Sequence, residues 1–120
     1  MLGLRTAIYH VPDLEEAKKW YAEAFETQPY FDEPFYVGFD IGGYELGLLP
    51  QQHSGDKHAS SVAYWGVDKV APVYQRLLDL GGKVSGEPQD VGEGIITAEV
   101  TDPWGNIIGL IYNPFFKLPK

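Results

Sequence analysis

Two stretches of this chain share one layout, and that repetition constrains the fold more than any other feature. Asp102-Pro103-Trp104-Gly105-Asn106-Ile107-Ile108-Gly109-Leu110-Ile111-Tyr112 reads as a tight turn feeding a buried strand. Pro103 presets the turn, Gly105-Asn106 tolerates positive φ, and residues 107–112 are β-branched and aromatic, as sheet strands prefer. The earlier stretch Asp40-Ile41-Gly42-Gly43-Tyr44-Glu45-Leu46-Gly47-Leu48-Leu49 matches it at one constant offset. Asp40 aligns with Asp102, Gly43 with Gly105, and Gly47 with Gly109. Two such units in 120 residues point to an internal repeat.

The rest of the chain fills out that repeat. Residues 4–11 form a strand stopped by Pro12. Asp13 caps a helix over 14–26, with Glu16 completing a capping-box pattern. Leu14, Ala17, Trp20, Tyr21, Ala24 and Phe25 make its apolar stripe. Strands are expected at 28–31, 35–41 and 44–49, with a turn at Asp32-Glu33-Pro34. A polar linker, 51–59, separates module 1 (about 1–50) from module 2 (about 60–114), and 115–120 is a short tail. The second module repeats the order: a strand at 60–67, a helix at 69–80 capped by Asp68, then strands at 83–87, 95–101 and 106–112. Pro72 falls in the first helical turn, where it is tolerated, and Gly81-Gly82 stops the helix.

Length allows a single domain, and the chain has no cysteine, which excludes disulfides and thiolate chemistry. A cytoplasmic location is expected. Residues 1–5 do not read as a signal peptide, and no run approaches the ~20 apolar residues of a membrane span. The net charge of -8 argues against nucleic acid. It is weakly compatible with a cationic ligand, and its plainer reading is solubility.

Read in order, Val11-Pro12-Asp13-Leu14, Trp20-Tyr21, Val62-Ala63-Tyr64-Trp65-Gly66-Val67, Gly81-Gly82-Lys83-Val84, Glu87-Pro88 and Thr101-Asp102-Pro103-Trp104-Gly105-Asn106 make this chain resemble the vicinal oxygen chelate superfamily, the glyoxalase and bleomycin-resistance group. The resemblance covers nearly the whole chain. It implies an α+β fold: two βαβββ modules forming a curved, mostly antiparallel eight-stranded cup with two helices on its outer face. It also implies a homodimer, since dimerisation often completes the cup.

Metal-dependent members of that family place a His near the start of the first strand of each module and a Glu, Gln or His on the last. Here those positions hold Thr6 and Val62 (Ser61 if the register slips by one), then Gly47 and Gly109. None is a metal ligand by type, so no metal and no cofactor is expected. Glyoxalase I and extradiol dioxygenase chemistry both need the metal and are disfavoured. His53 and His58 read as solvated linker residues.

Strand alternation places Thr6, Ile8, His10, Phe35, Val37, Phe39, Glu45, Gly47, Leu49, Val62, Tyr64, Gly66, Thr97, Glu99, Thr101, Ile107, Gly109 and Ile111 on the cup face. Tyr36 and the remaining alternate residues face the helices. The expected ligand-binding residues are His10, Phe35, Phe39, Glu45, Gly47, Tyr64, Glu99 and Gly109. Apolar walls with a few placed polar groups suit a small molecule. Phe35, Phe39 and Tyr64 would be walls, Glu45 and Glu99 would supply charge, and the glycines would leave room. Each carboxylate also has a plainer reading: Glu45 in solvent, Glu99 paired across strands. His10 is either a rim contact or base, or a histidine bonded to backbone at a strand end.

Three functions compete. The leading one is a metal-independent small-molecule binder resembling sequestering proteins of the bleomycin-resistance type, taking an apolar, aromatic or cationic ligand. The alternative is a glyoxalase-related enzyme, of lyase or dioxygenase type. It would use Glu99 as base, or a metal held by unassigned residues such as His10 with Glu45 or Glu99. The third is an interaction module presenting Trp104 and Phe115-Phe116 as a subunit interface.

Overall fold

The computed structural model describes residues 4–51 and 62–115. His53, His58, Phe116 and most of the expected linker lie outside the described residues. The chain divides into two compact units, Met1–His58 and Ala59–Lys120.

The first unit runs β1 (Thr6–Val11), α1 (Leu14–Ala24), β2 (Phe31–Glu33), β3 (Tyr36–Ile41) and β4 (Tyr44–Pro50). Its four-stranded sheet has the order β1-β4-β3-β2. β1 pairs parallel with β4, and the other pairs are antiparallel. The second unit repeats this with β5 (Tyr64–Gly66), α2 (Val70–Asp79), β6 (Lys83–Asp90), β7 (Ile96–Thr101) and β8 (Ile107–Tyr112). Its sheet order is β5-β8-β7-β6, again with one parallel pair, β5 with β8. The repeat inferred from two turns therefore extends to the whole topology: two βαβββ modules, α+β, with eight strands and two helices among the described residues. No helix among them is long and apolar enough to cross a membrane.

α1 begins where Asp13 accepts a hydrogen bond from the Glu16 backbone N–H at 3.1 Å, the expected cap. Its buried stripe is Ala17, Tyr21 and Ala24. Tyr21 stacks on Tyr9 at 5.7 Å and on Phe25 at 5.8 Å. Beneath lie Val11, Val37, Phe39, Leu46 and Leu48, all buried. In the second unit Val70 and Leu77 of α2 are buried with Ala98, Val100, Ile108 and Leu110.

The structure corrects four local expectations. The turn between β2 and β3 is Pro34-Phe35, not Asp32-Glu33-Pro34, because Asp32 and Glu33 pair with Val37 and Tyr36. With Phe35 in the turn, β3 takes the opposite phase. Val37 and Phe39 pair with the core residues Leu48 and Leu46 and point to the helix side, while Tyr36 falls on the other face. The N-cap of α2 is Lys69, whose side chain makes no capping bond, so Asp68 does not cap it. β6 continues through Pro88 to Asp90 with two register irregularities. An edge strand tolerates a residue without an N–H.

The repeated turns fix strand register. Gly42 and Gly43 have φ of 61° and 94° between β3 and β4, and the Gly43 N–H donates to Asp40 Oδ1 at 2.8 Å. In the second copy Asp102 is 1 % exposed. It accepts from the Trp104 N–H at 2.9 Å, the Asn106 N–H at 2.8 Å and Asn106 Nδ2 at 2.9 Å. Removing this carboxylate leaves donors unpaired in a buried turn. Asp102→Ala is expected to lose roughly 2–4 kcal/mol in a urea titration. A change below about 0.5 kcal/mol, the range of a neutral surface substitution, would show that the turn does not depend on it.

Candidate functional site

In the first unit, the sheet face opposite α1 carries Thr6, Ile8 and His10 from β1, Glu45, Gly47 and Leu49 from β4, and Tyr36, Gly38 and Asp40 from β3. Its centre is the Glu45 carboxylate. Thr6 Oγ1 donates to Oε1 at 2.8 Å, the Tyr30 hydroxyl donates to Oε2, and the nearby Tyr36 hydroxyl favours the ionised carboxylate. These hydroxyls hold Glu45 below the usual carboxylate range, the Tyr30 bond most strongly, against the opposing effect of partial burial. The phenols shift the other way. Tyr36 is pushed up to about 12, first by burial and then by its bond to Glu45. Tyr30 is raised chiefly by its own bond to Glu45.

Two glycines make this arrangement possible. A Cβ on Gly47 would lie 2.8 Å from both Ile8 Cδ1 and the Tyr36 ring, so Tyr36 occupies the space above that residue. A Cβ on Gly38 would lie 2.9 Å from Glu45 Oε2 and 3.2 Å from the Tyr30 ring. A row of aromatics leads away from Tyr36. Phe31 meets Phe35 edge-on at 6.2 Å and Tyr36 at 5.9 Å. Tyr30 and Phe35 are each 63 % exposed and Phe31 40 %.

The second unit has a smaller counterpart. Tyr64, Gly109 and Glu99 lie in one cross-strand row. The Tyr64 hydroxyl donates to Glu99 Oε2 at 2.5 Å, which raises the phenol pKa more than its burial does. A Cβ on Gly109 would sit 2.6 Å from the Tyr64 ring.

The structure thus brings Glu45 and Gly47 together on one sheet and Tyr64, Glu99 and Gly109 together on the other. Phe35 reaches the Glu45 surroundings from its turn through Phe31. His10 is half-buried on the same face of the first sheet, opposite Leu49. Phe39 is 0 % exposed in the core and cannot be a ligand wall. Neither glycine leaves open space: each floor is covered by a tyrosine. Tyr30 and Tyr36 are the residues that sequence reasoning missed.

The positions at which the superfamily resemblance implies metal ligands carry Thr6, Val62, Gly47 and Gly109. Two have no side chain, and the space above each is filled by a tyrosine ring. Among the described residues no three His, Cys, Asp or Glu side chains converge. This donor set does not fit a divalent cation, which takes carboxylate, imidazole or carbonyl ligands.

The titrations give a test. A phenol whose pKa is raised on folding stabilises the fold fully below the ordinary value of 10 and loses that contribution as pH rises toward about 12. Stability is expected to fall across that window, and less steeply in Tyr36→Phe. Glu45, lowered on folding, contributes above the ordinary carboxylate value of 4.5, and this is lost as pH falls through its lower folded value. Phenolate absorbance is expected to show Tyr36 titrating near 12, and lower in Glu45→Gln. Tyrosines that all titrate at 10 would contradict the assignment.

Residues 4–110 match the Glyoxalase/Bleomycin resistance protein/Dioxygenase superfamily. No curated protein matches the chain. Among solved structures it is similar to a glyoxalase-related enzyme from Fulvimarina pelagi, with 23 % identity, TM-score 0.80, and coverage of 99 % of this chain and 94 % of that one. It is also similar to lactoylglutathione lyase from Agrobacterium tumefaciens, with 18 % identity, TM-score 0.74, and coverage of 99 % of each chain. A glyoxalase/bleomycin resistance protein from Albidiferax ferrireducens T118 shares 18 % identity at TM-score 0.74, over 92 % of this chain and 98 % of that one. With the duplicated βαβββ topology and the match along nearly its whole length, the chain belongs to the glyoxalase/bleomycin resistance/dioxygenase superfamily.

Proposed function

We propose that this protein is a metal-independent small-molecule binder, of the sequestering kind found in the bleomycin-resistance branch. It takes an organic cation with apolar or aromatic surroundings. The observation that carries this reading is the Glu45 carboxylate, kept ionised by hydroxyl donors and bordered by Tyr30, Phe31, Phe35 and Tyr36. A fixed negative charge beside exposed rings attracts a cation both by Coulomb force and through the ring quadrupoles. Homodimerisation and a cytoplasmic location belong to the same reading, on the family resemblance.

The enzymatic alternative is weaker on chemical grounds. Glyoxalase and extradiol dioxygenase chemistry use a metal as Lewis acid or template, and Thr6, Val62, Gly47 and Gly109 do not supply one. Nor is Glu45 suited to serve as a metal-free base. Hydrogen bonds that lower its pKa reduce its basicity, and a phenol near 12 stays protonated at neutral pH.

Elemental analysis of the purified protein is expected to find no stoichiometric divalent metal, and a chelator is expected to leave its melting temperature unchanged. One bound metal per chain would overturn the metal-independent reading. In a thermal-shift panel, a cationic aromatic compound at one hundred times its Kd is expected to stabilise the protein by about 2.7 kcal/mol, with the gain largely lost in Glu45→Gln. A panel of organic cations and aromatic compounds that leaves the melting temperature unmoved would end the proposal.

A further inference from the structure

The hydrogen bonds of Glu45 say which cation this face can take. An ionised carboxylate has about four acceptor positions. Thr6 Oγ1 fills one on Oε1 and the Tyr30 hydroxyl fills one on Oε2. The negative charge remains, but each oxygen has already given up part of its capacity to accept hydrogen bonds.

That distinction separates classes of cation. A guanidinium binds a carboxylate through two parallel N–H···O bonds and needs both oxygens open along one edge. A primary ammonium brings three N–H donors and a tightly held hydration shell. Either would lose water here to a carboxylate whose two oxygens each already serve a hydroxyl. An alkylated ammonium brings the same charge with one N–H or none. It is also attracted to aromatic faces, which need no donor.

The rings suit that kind of group. Phe31 stands at 68° to Phe35 and at 60° to Tyr36, so neighbouring rings present faces in different directions. Tyr30 and Phe35 expose most of their surface. Gly38 keeps the floor low enough for the Tyr30 ring and the carboxylate to meet there.

We propose that the face formed by Tyr30, Phe31, Phe35 and Tyr36 beside Glu45 recognises a quaternary or tertiary ammonium group in preference to a guanidinium or a primary ammonium. This rests on the cation-binding reading above and names the class of cation. Tyr30 is then a specificity-determining residue, because its hydroxyl consumes an acceptor position that a donor-rich cation would use.

The experiment compares benzyltrimethylammonium, benzylammonium and benzylguanidinium on the full chain, following backbone amide shifts of β1 to β4 by NMR titration. Benzyltrimethylammonium is expected to bind about ten-fold more tightly than either of the others. Phe35→Ala, an exposed position, is expected to weaken it several-fold. Tyr30→Phe keeps the ring and frees one acceptor position. It is expected to shift the preference toward benzylguanidinium. Equal or reversed affinities in the unaltered protein would overturn this inference and leave cation binding standing. An unchanged preference in Tyr30→Phe would overturn the acceptor argument. If none of the three salts binds, both this inference and the proposed function fall. The comparison among ligands on the unaltered chain needs no variant to fold.

Discussion

In each unit a tyrosine ring lies against the sheet over a position that carries no side chain. That packing organises both units. Gly47 lies under Tyr36 and Gly109 under Tyr64, and a single Cβ at either position would collide with the ring. Each ring then reaches a carboxylate on its own sheet, Glu45 or Glu99. The sheets achieve this differently. In the first unit the tyrosine comes from β3 and meets a carboxylate on the glycine's own strand. In the second it comes from β5 and meets one on β7, with the glycine between them. The duplicated backbone has kept the glycines in step while the side chains around them have diverged.

The order of elements, the helix stripes and the faces of β1, β4, β7 and β8 were legible in the sequence. Alternation there is clean, as in Leu46 and Leu48 against Glu45 and Gly47. The strand that carries much of the site was misread. Residues 36–41 alternate Tyr, Val, Gly, Phe, Asp, Ile, and the apolar set at 37, 39 and 41 is a recognisable core face. Starting the strand at Phe35 inverted that phase, since a one-residue slip exchanges the two faces. The signal was present, and the exposed turn residue Phe35 obscured it. Tyr30 is different. It stands before β2, outside any strand, and reaches Glu45 only because its backbone N–H bonds Gly38 O at 3.0 Å. No periodicity encodes that contact.

Where the superfamily resemblance implies metal ligands on the last strands, this chain has glycines, and a tyrosine ring covers each of them. Phenol hydroxyls face the neighbouring carboxylates, where coordination chemistry would need imidazole or further carboxylates. A carboxylate bonded by hydroxyls keeps its charge to lower pH because the donors favour the ionised form. The same bonds blunt it as a proton acceptor. An electrostatic anchor and a general base therefore make different demands on one group: an anchor needs its charge kept in place, and a base loses reactivity with each added donor.

That difference bears on how the proposed reading treats this face. Thr6, Tyr30 and Tyr36 all push Glu45 toward the anchor. The open aromatic border offers contact without donors or acceptors, so it adds affinity for a charged apolar group and nothing that would move a proton. Glu99 differs from Glu45 in its support: among the bonds described it is held by the hydroxyl of Tyr64, which reaches it across the strand that carries Gly109.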